Sequence, residues 1–409
     1  MNNAPGAAAL GRRVRQVTAA LANAGWMVDV IFRAHETGRT VNPCVRVVGN
    51  TRAIAVDGPG LELSTVEQVP LARMLATYWY ARTRGDRSGR WAQAASRTLD
   101  FDALDAIATI AFYTPRGPLA VAANAHRAFG VPWIADLQDP IDEGASSVAR
   151  SAVIAWMRRT LRTASRVVQV SPEWATESSQ LLNRPVDVLR HAVTNPSPLA
   201  QSRRAQTIPR TFAMLYAGSL NFQFQSATAL LRAIDIVNGE QALVGHRRVL
   251  LRVASTRDTF DCLRSLAVPE QADSLEYAGW LSQEELGESI QAADALALIP
   301  WSGDDRQVVP SKLYEYLGYR KPILIAGPDS GGLRGFLREV QHPNVVAERT
   351  EDIAAVIRAM MRGDNTRALT LDECASPPLS ERDVQQQYVA WVDDLAESSA
   401  SRPMQSCAE

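Results

Sequence analysis

The chain has 409 residues, of which 46% are hydrophobic and 21% are charged, and its formal net charge is −1. This length favours two domains over one, and the composition is that of an ordinary globular protein with a large core. A nearly neutral charge argues against general binding to nucleic acid, which requires a basic surface. The four cysteines and five histidines are scattered, so we expect neither a metal site nor a disulfide framework.

Two further features concern location. No apolar run approaches the roughly 18 residues that a transmembrane helix requires. The first residues, MNNAPGAAALGRR, lack the apolar core of a secretory signal. Because isolated cysteines also suit a reducing compartment, the sequence indicates a cytoplasmic protein.

The N-terminal half alternates helices and strands. A Gly/Ala-rich stretch at 4–10 precedes a helix at 12–24 and a strand at 28–32. A doubly wound domain normally begins with a strand before such a turn, and none is evident here. We therefore expect a gap or a new edge in the first sheet. The elements predicted next are strands at 45–48 and 53–56, a helix at 71–81, a strand entered at 101–109 and a helix at 119–129.

Two basic segments in this half have no obvious partner. Residues 82–90 form a basic, glycine-containing loop, which is either solvated or a contact for acidic lipid or a polyanionic acceptor. Residues 146–166 predict an amphipathic helix with five arginines and no acidic residue. This helix either packs on the sheet with a solvated arginine face or lies on an anionic membrane surface.

A strand at 133–137 brings acidic residues to its carboxyl end, where open α/β sheets bind ligands. Asp136 and Asp139 could each hydrogen-bond an acceptor or cap the next turn. A strand at 166–170 then leads to a helix that begins at Ser171. The Pro/Ser-rich stretch at 196–209 is the best candidate for a linker.

The C-terminal half repeats the alternation, and a capping box of Ser282 and Glu285 begins one of its helices. The predicted strands are at 212–216, 249–254, 275–278, 295–299 and 323–326, and the predicted helices are at 227–237, 260–266, 282–292, 333–340 and 351–361. A final amphipathic helix at 383–395 should bury Tyr388 and Trp391.

The stretch QVVPSKLYEYLGYRKPILIA, residues 307–326, has the most informative pattern. Ser311 is predicted as an N-cap, and a helix follows with Lys312 and Glu315 one turn apart. A helix N-terminus favours anions, and a short strand suited to burial on both faces comes next. The residues alone fit either a surface helix before a core strand or a phosphate or nucleotide site.

Within this stretch, PSKLYEYLGYRKPIL resembles the donor-site helix of the retaining glycosyltransferase family four. Residues 277–281 and the following helix resemble that family's base-binding turn, and residues 216–220 resemble the first strand and turn of its donor domain. GVPWIADLQDP, residues 130–140, is similar to a segment of its acceptor-side domain. The resemblance covers most of the chain and implies an α/β fold of the GT-B type, with two doubly wound Rossmann-like domains facing a cleft.

The resemblance also implies domain boundaries. The expected parts are an acceptor-side domain at 1–195, a linker at 196–209, a nucleotide-sugar domain at 210–380, a C-terminal helix at 381–397 crossing back to the first domain, and a disordered tail at 398–409.

By this resemblance Glu315 would accept hydrogen bonds from the ribose, and Lys312 would lie near the diphosphate. The implied catalytic residues are Lys312, Asp139 and Gln307, the last standing where relatives commonly carry a second glutamate. The implied donor-binding residues are Gly218, Ser219, Gly279, Trp280, Leu281, Val309, Pro310, Ser311, Lys312, Leu313 and Glu315. Asp136 and Asp139 would lie on the acceptor side, and no metal or other cofactor is implied.

The chain departs from the family where the diphosphate would bind. Relatives usually carry an arginine just after the turn glycine and a lysine a few residues later, whereas this chain has Ser219 and Gln225. Likewise, Gln138 stands between Asp136 and Asp139, where relatives usually carry a basic residue. Lys312 and the helix N-terminus, together with Arg306, Arg257 or Arg320, would then have to offset the negative charge of the leaving group.

The resemblance implies retaining transfer of a sugar from a nucleotide sugar, with UDP-sugars favoured, to a saccharide or lipid-linked acceptor, as in polysaccharide or glycoconjugate synthesis. A peripheral contact with the inner face of the membrane would use residues 146–166. Two alternatives remain: a catalytically weak partner subunit that binds nucleotide or lipid, and a sugar-nucleotide epimerase with the same architecture.

Overall fold

The fold is known from a computed structural model that describes most of the chain in two compact units. The described residues are 8–33, 46–48, 50–56, 70–86, 88–98, 106–113, 115–141, 149–193, 211–220, 225–244, 247–267, 273–300, 309–319, 321–328, 331–340, 346–363 and 380–400. The first unit contains the described residues of 10–190 and 382–400, and the second contains those of 191–381. The predicted linker at 196–209 and the catalytic candidate Gln307 lie outside the described residues.

Helices and strands alternate along both units. The helices are Ala8–Asn23 (α1), Pro70–Thr83 (α2), Gly89–Thr98 (α3), Gly117–Phe129 (α4), Arg150–Leu161 (α5), Pro172–Leu182 (α6), Thr228–Val244 (α7), Arg257–Leu266 (α8), Gln283–Ala292 (α9), Ser311–Leu317 (α10), Gly331–Glu339 (α11), Thr350–Arg362 (α12) and Glu381–Ala400 (α13). The strands are Val28–Arg33 (β1), Arg46–Val48 (β2), Thr51–Val56 (β3), Thr109–Tyr113 (β4), Trp133–Leu137 (β5), Arg166–Gln169 (β6), Asp187–Val188 (β7), Thr211–Ala217 (β8), Arg248–Ala254 (β9), Leu275–Tyr277 (β10), Ala295–Leu298 (β11), Ile323–Ala326 (β12) and Val346–Ala347 (β13).

The first unit divides its described strands between two sheets. Strands β4, β5, β6 and β7 form a parallel sheet in that order, and β1, β3 and β2 form a separate sheet in which only β2 is antiparallel. The expected break in the first sheet is therefore present between β1 and β4. A small core of Trp91, Ala95, Val121 and Val56 packs β3 against α3 and α4.

Helix α5 buries the apolar face that the sequence predicts for it. Ala152, Val153, Trp156, Met157 and Leu161 lie in the core that covers the four-stranded sheet. Because this face is buried, the helix cannot place it in a bilayer. Any contact of α5 with an anionic surface must use its exposed arginines.

The second unit is a doubly wound domain. Its parallel sheet has the order β10-β9-β8-β11-β12-β13. The order reverses between β8 and β11, and open sheets bind ligands beside the carboxyl ends of strands at such a switch point. Every residue of β11 and β12 is buried, as expected of central parallel strands covered on both faces.

The structure corrects three local predictions. Pro310, not Ser311, occupies the N-cap position of α10, and no side chain caps this helix. Of the stretch 101–109, where a strand entry was expected, residues 106–108 precede β4, which begins at Thr109, and 101–105 lie outside the described residues. The basic loop gives way at Gly89 to helix α3, which the sequence does not predict. The arginines and glycines of residues 82–90 are typical of a loop and conceal the start of α3.

The capping predictions are confirmed at two helices. Ser171 accepts a hydrogen bond from the amide of Trp174 at the start of α6. Ser282 and Glu285 form the complete capping box of α9. The last helix, α13, buries Tyr388 and Trp391 as expected and continues to Ala400, inside the segment predicted as a tail. None of the described helices is both long enough and apolar enough to cross a bilayer.

Candidate functional site

The candidate site lies at the switch point of the second unit. Strand β8 ends in a turn at Gly218 and Ser219, and the chain after β11 returns as α10, which carries Lys312. The amide of Gly218 donates to the carbonyl of Ala254 at the end of β9, which fixes the turn against the neighbouring strand. Three parts of the chain therefore meet beside the carboxyl ends of two strands.

Lys312 is the positive charge of this turn. Its ammonium donates to the hydroxyl of Tyr216 at 2.5 Å and to the carbonyl of Ser219 at 3.0 Å. It also lies 4.3 Å from the centre of the Tyr216 ring, a cation–π distance. The Tyr216 hydroxyl in turn donates to the Ser219 carbonyl at 3.0 Å. Lys312 is thus held over the turn in which members of the resembled family usually carry an arginine, at the position of Ser219.

Gly218 leaves the space that Lys312 occupies. The φ of Gly218 is +95°, and a Cβ there would lie 2.6 Å from the lysine Cε. Both the left-handed backbone and the close approach require a residue without a side chain. This glycine therefore admits the lysine stem to the turn.

Burial changes the chemistry of this lysine. Removal from water lowers the pKa of Lys312 to about 7, while the nearby carboxylate of Glu315 opposes that shift. Burial has the opposite effect on the phenol beside it and raises the pKa of Tyr216 well above its usual value. Lys312 is one of two lysines in the sequence, which otherwise uses arginine. A compact ammonium suits the narrow space beside Gly218 better than a guanidinium.

Tyrosines fix α10 at the end of β8. The hydroxyl of Tyr316 accepts a hydrogen bond from the amide of Ala217 at 2.9 Å, directly before the turn. Tyr314 packs against Phe336 and His191, with ring centroids 4.7 and 5.5 Å away. These contacts fix the position of the short helix that carries Lys312.

Glu315 connects α10 with the predicted base-binding turn. This carboxylate is 5% exposed and accepts a hydrogen bond from Gln283 at 2.9 Å. Gln283 begins α9, directly after the turn of Gly279, Trp280 and Leu281. Gly279 has a φ of +79°, and Trp280 is exposed. The structure thus brings together two segments that only the family resemblance had linked.

Two buried hydroxyl groups lie at the same strand ends. The Oγ atoms of Ser219 and Ser255 are buried and have no hydrogen-bond partner among the described residues. Unsatisfied buried hydroxyls are uncommon and are costly unless a ligand or water completes them. Gln225, by contrast, donates to the carbonyl of Ile299 at 2.5 Å. It therefore contributes to the core instead of replacing the lysine of relatives.

The remaining residues predicted to bind the nucleotide-sugar donor differ in how exposed they are. Val309, Pro310 and Ser311 are half-buried at the start of α10. Leu313 is fully buried in the core, and its amide already donates to the carbonyl of Pro310. Leu313 is accordingly a packing residue of α10.

Asp136 has a structural environment in the first unit. It is fully buried and accepts a hydrogen bond from Arg13 Nε at 2.8 Å, another from Gln138 at 2.6 Å, and a further one from the hydroxyl of Tyr388. Arg13 also donates to the carbonyl groups of Leu189 and Arg190. This network joins α1, β5 and α13, so Asp136 neither caps a turn nor faces an acceptor.

Asp139 is the acceptor-side candidate with solvent access. It is half-buried just beyond β5, and its carbonyl accepts a hydrogen bond from the buried Gln169 at 3.2 Å. Over the part of the chain that the structure describes, no three His, Cys, Asp or Glu side chains are grouped to hold a metal ion.

Sequence reasoning missed two residues that the structure makes central. The sequence predicts Tyr216 only as the end of a strand, although its position two residues before the turn glycine, Gly218, could have indicated a side chain beside the site. Arg13 gave no usable signal, because it pairs with Asp136 across 123 positions of sequence.

Two solved structures align with most of the chain. HepE from Anabaena, solved in complex with UDP, is 13% identical with a TM-score of 0.50, and the alignment covers 87% of each chain. A candidate UDP-N-acetylglucosamine 2-epimerase from Listeria monocytogenes is 9% identical with a TM-score of 0.51, over 91% of this chain and 96% of that one. At these identities the likeness establishes the fold, which is the GT-B fold of two Rossmann-like domains.

A family model also matches part of the sequence. Residues 9–193 match the family described as glycosyl transferase 4-like domain. This match covers somewhat less than half of the chain, and within those residues the sequence is similar to a glycosyl transferase 4-like domain. No curated protein matches the chain by sequence.

Proposed function

We propose that this chain transfers a sugar from a nucleotide-sugar donor to a saccharide or lipid-linked acceptor, with retention of the anomeric configuration. The observation that carries this proposal is the position of Lys312 over the turn of Gly218 and Ser219, at the switch point of a doubly wound domain. A diphosphate beside this turn would meet the ammonium and the unsatisfied Ser219 hydroxyl. A partly buried ammonium such as that of Lys312 stabilises a leaving phosphate more strongly than a fully exposed one does.

The other donor contacts follow from the neighbouring segments. Glu315 would exchange its hydrogen bond with Gln283 for bonds to the ribose, and the turn at Gly279 and Trp280 would hold the base. A UDP-sugar is the favoured donor because the GT-B protein HepE was solved with UDP. Surface polysaccharide or glycoconjugate synthesis is the setting that we infer.

The reaction needs no dedicated protein base. The acceptor hydroxyl attacks the anomeric carbon on the face that the leaving group departs from, and the leaving phosphate oxygen takes the acceptor proton. Lys312 would stabilise the charge that develops on that phosphate. Asp139 would orient the acceptor, and Gln307 is proposed to contact the donor sugar.

A non-catalytic partner subunit is the second candidate. The changes at Ser219 and Gln225 favour it, because Gln225 is committed to the Ile299 carbonyl and supplies no charge. Arg257 is also occupied, since it pairs with Asp261 and packs on Tyr277. Within the described part of the site, Lys312 then has to supply most of the positive charge that offsets the diphosphate.

We further propose that the protein works in the cytoplasm at the inner face of the membrane. Any contact through residues 146–166 would use exposed arginines of α5, such as Arg158 and Arg159, because its apolar face is buried.

The test is release of nucleoside diphosphate from a panel of UDP-, GDP- and ADP-sugars, with product sugars analysed by NMR. We expect release from one class of donor, and Glu315→Ala should lower it about tenfold or more through loss of charge-assisted hydrogen bonds. Glu284→Ala, which removes an exposed carboxylate from the neighbouring helix, is the matched control. Release from no donor would favour the partner subunit, and an epimerised donor without release would favour an epimerase.

A further inference from the structure

A basic cavity lies in the first unit, whereas the candidate site belongs to the second. It has a volume of about 360 Å³ and lies among the α2–α3 connection, α4 and α5. Its lining includes Arg84, Arg127, Arg159, Arg162, Asn124 and Trp156. The C-terminal halves of α4 and α5 contribute most of these residues. Because the helices run antiparallel to the strands, the cavity lies toward the amino ends of the sheet, opposite the edge where such folds bind donor and acceptor.

The cavity is lined by residues of both basic segments, 82–90 and 146–166, whose function the sequence does not reveal. Arg84 comes from the basic loop, and Arg159 and Arg162 come from the basic helix. No aspartate or glutamate lines the cavity. In the described part of the chain, none of the four arginines pairs with a carboxylate. Four like charges around one space favour the binding of an anion among them.

The arginines retain donors for a ligand. Arg127 donates to the carbonyl of Ala123 and to the side chain of Asn124, and Arg159 donates to the carbonyl of Arg82. A guanidinium has five N–H groups, so each of these contacts leaves several free. The planar arrangement of those donors matches the oxygens of a phosphoryl group.

The walls of the cavity are fixed before any ligand binds. Trp156 is buried, and its ring packs so closely on Gly85 that a Cβ there would lie 2.9 Å away. Asp86 accepts from the amides of Ser88 and Arg116, while the Ser88 hydroxyl accepts from the amide of Gly117. The loop is therefore held against α4 and α5, and a ligand would not have to order it.

We propose that this cavity binds a phosphoryl group, as an anion site separate from the donor site. Its ligand chemistry is that of a phosphate monoester or diester, which a soluble phosphate compound or an anionic lipid headgroup could supply. Arg84, Arg127, Arg159 and Arg162 supply the charge, and Asn124 contributes an amide beside them.

The test is calorimetric titration of the full chain with inorganic phosphate at constant ionic strength, in a Lys312→Met background that removes the cation of the donor site. We expect the double variant Arg159→Ala/Arg162→Ala to weaken phosphate binding about tenfold or more, because two charge-assisted contacts are lost. Arg150→Ala removes a cation from the same helix outside the cavity and should change the affinity less than about twofold. Binding should also weaken as salt rises.

Because the double variant also removes the hydrogen bond from Arg159 to the Arg82 carbonyl, Arg162→Lys provides a second comparison that keeps the charge. It should retain more phosphate affinity than the alanine variants. Sedimentation with phosphatidylglycerol and phosphatidylcholine vesicles separates the two sources. Binding to phosphatidylglycerol that phosphate displaces indicates a headgroup, and phosphate binding without vesicle binding indicates a soluble ligand. No phosphate binding by the wild-type cavity, or unchanged binding in a folded double variant, would overturn the proposal.

Discussion

At the scale of single residues, the candidate site depends on one lysine in an unusual setting. Lys312 is held by Tyr216 and Ser219 and lies against Gly218. Its ammonium has only neutral oxygen acceptors in these two contacts, so the site is prepared for an anion that would compensate its burial. The family resemblance predicted the lysine, but the partners that position it became visible only in three dimensions.

The lowered pKa of Lys312 predicts its titration. Because burial favours the neutral amine, its 13Cε resonance should titrate with a midpoint near 7, and UDP should move that midpoint upward. Protein labelled with 13C-lysine is well suited to this measurement, since Lys321 is the only other lysine. A midpoint near 10.5 without ligand would contradict the described burial.

The same shift predicts how Lys312 affects stability. Between the folded pKa of about 7 and the unfolded value near 10.5, the unfolded chain binds more protons, so stability should rise with pH in this window. The slope can reach at most about 1.4 kcal/mol per pH unit for one group. Lys312→Met should flatten that part of the profile, as measured by urea unfolding. An unchanged slope in the variant would exclude Lys312 as its source.

The conformation of Gly218 predicts a steric effect. Gly218→Ala should destabilise the protein by about 1–3 kcal/mol and displace Lys312, because φ is positive and the new methyl group meets Cε. Gly239→Ala is the matched control, since this glycine lies in α7 with open space around it. That control should stabilise by about 0.5–1 kcal/mol. Equal effects of the two substitutions on melting would refute the role assigned to Gly218.

At the scale of elements, α1, β5 and α13 are joined by buried polar contacts. Asp136→Asn should destabilise the first unit by about 3–5 kcal/mol, because Arg13 would keep a buried charge without its counter-ion. Tyr388→Phe should cost less, about 1–2 kcal/mol, since Arg13 and Asp136 still pair.

A second ion pair of the same unit is the control for this prediction. Arg166 and Asp187 are partly exposed, so Asp187→Asn should cost no more than about 1 kcal/mol. Urea unfolding of the three variants gives the comparison. A cost for Asp136→Asn as small as that for Asp187→Asn would show that the buried pair contributes little.

Elements with local signals were predictable from sequence. The capping box of α9 and the apolar runs of β11 and β12 depend on neighbouring residues, and these elements were located within a residue or two. Helix α3 and the start of β4 were missed, because their helical or extended state is set by packing against α4 and β5. The helical spacing of the sequence runs from Lys312 to Tyr319, whereas the seven-residue helix α10 ends at Leu317.

At the scale of the whole molecule, the fold class followed from the alternation of strands and helices together with the family resemblance. The site was only partly predictable. Residues close in sequence, such as Lys312 and Glu315, were correctly expected to be near each other, since the Glu315 carboxylate acts on the pKa of Lys312. Long-range partners were not, because no local pattern links Tyr216 to Lys312 or Arg13 to Asp136. Relatives usually carry a lysine where this chain has Gln225, which suggested a weakened diphosphate site. In the structure Gln225 is buried and donates to the Ile299 carbonyl, so the fold does not need a cation at this position.

The most direct test of the central claim is thermal unfolding of the full chain with UDP, GDP and ADP. If the turn at Gly218 and helix α10 form a donor site, one nucleotide at about 100 times its dissociation constant should stabilise the protein by roughly 2.7 kcal/mol. Glu315→Ala should abolish this effect, and Glu284→Ala should preserve it. A protein that no nucleoside diphosphate stabilises, or that Glu315→Ala leaves equally responsive, would contradict a donor site at this position.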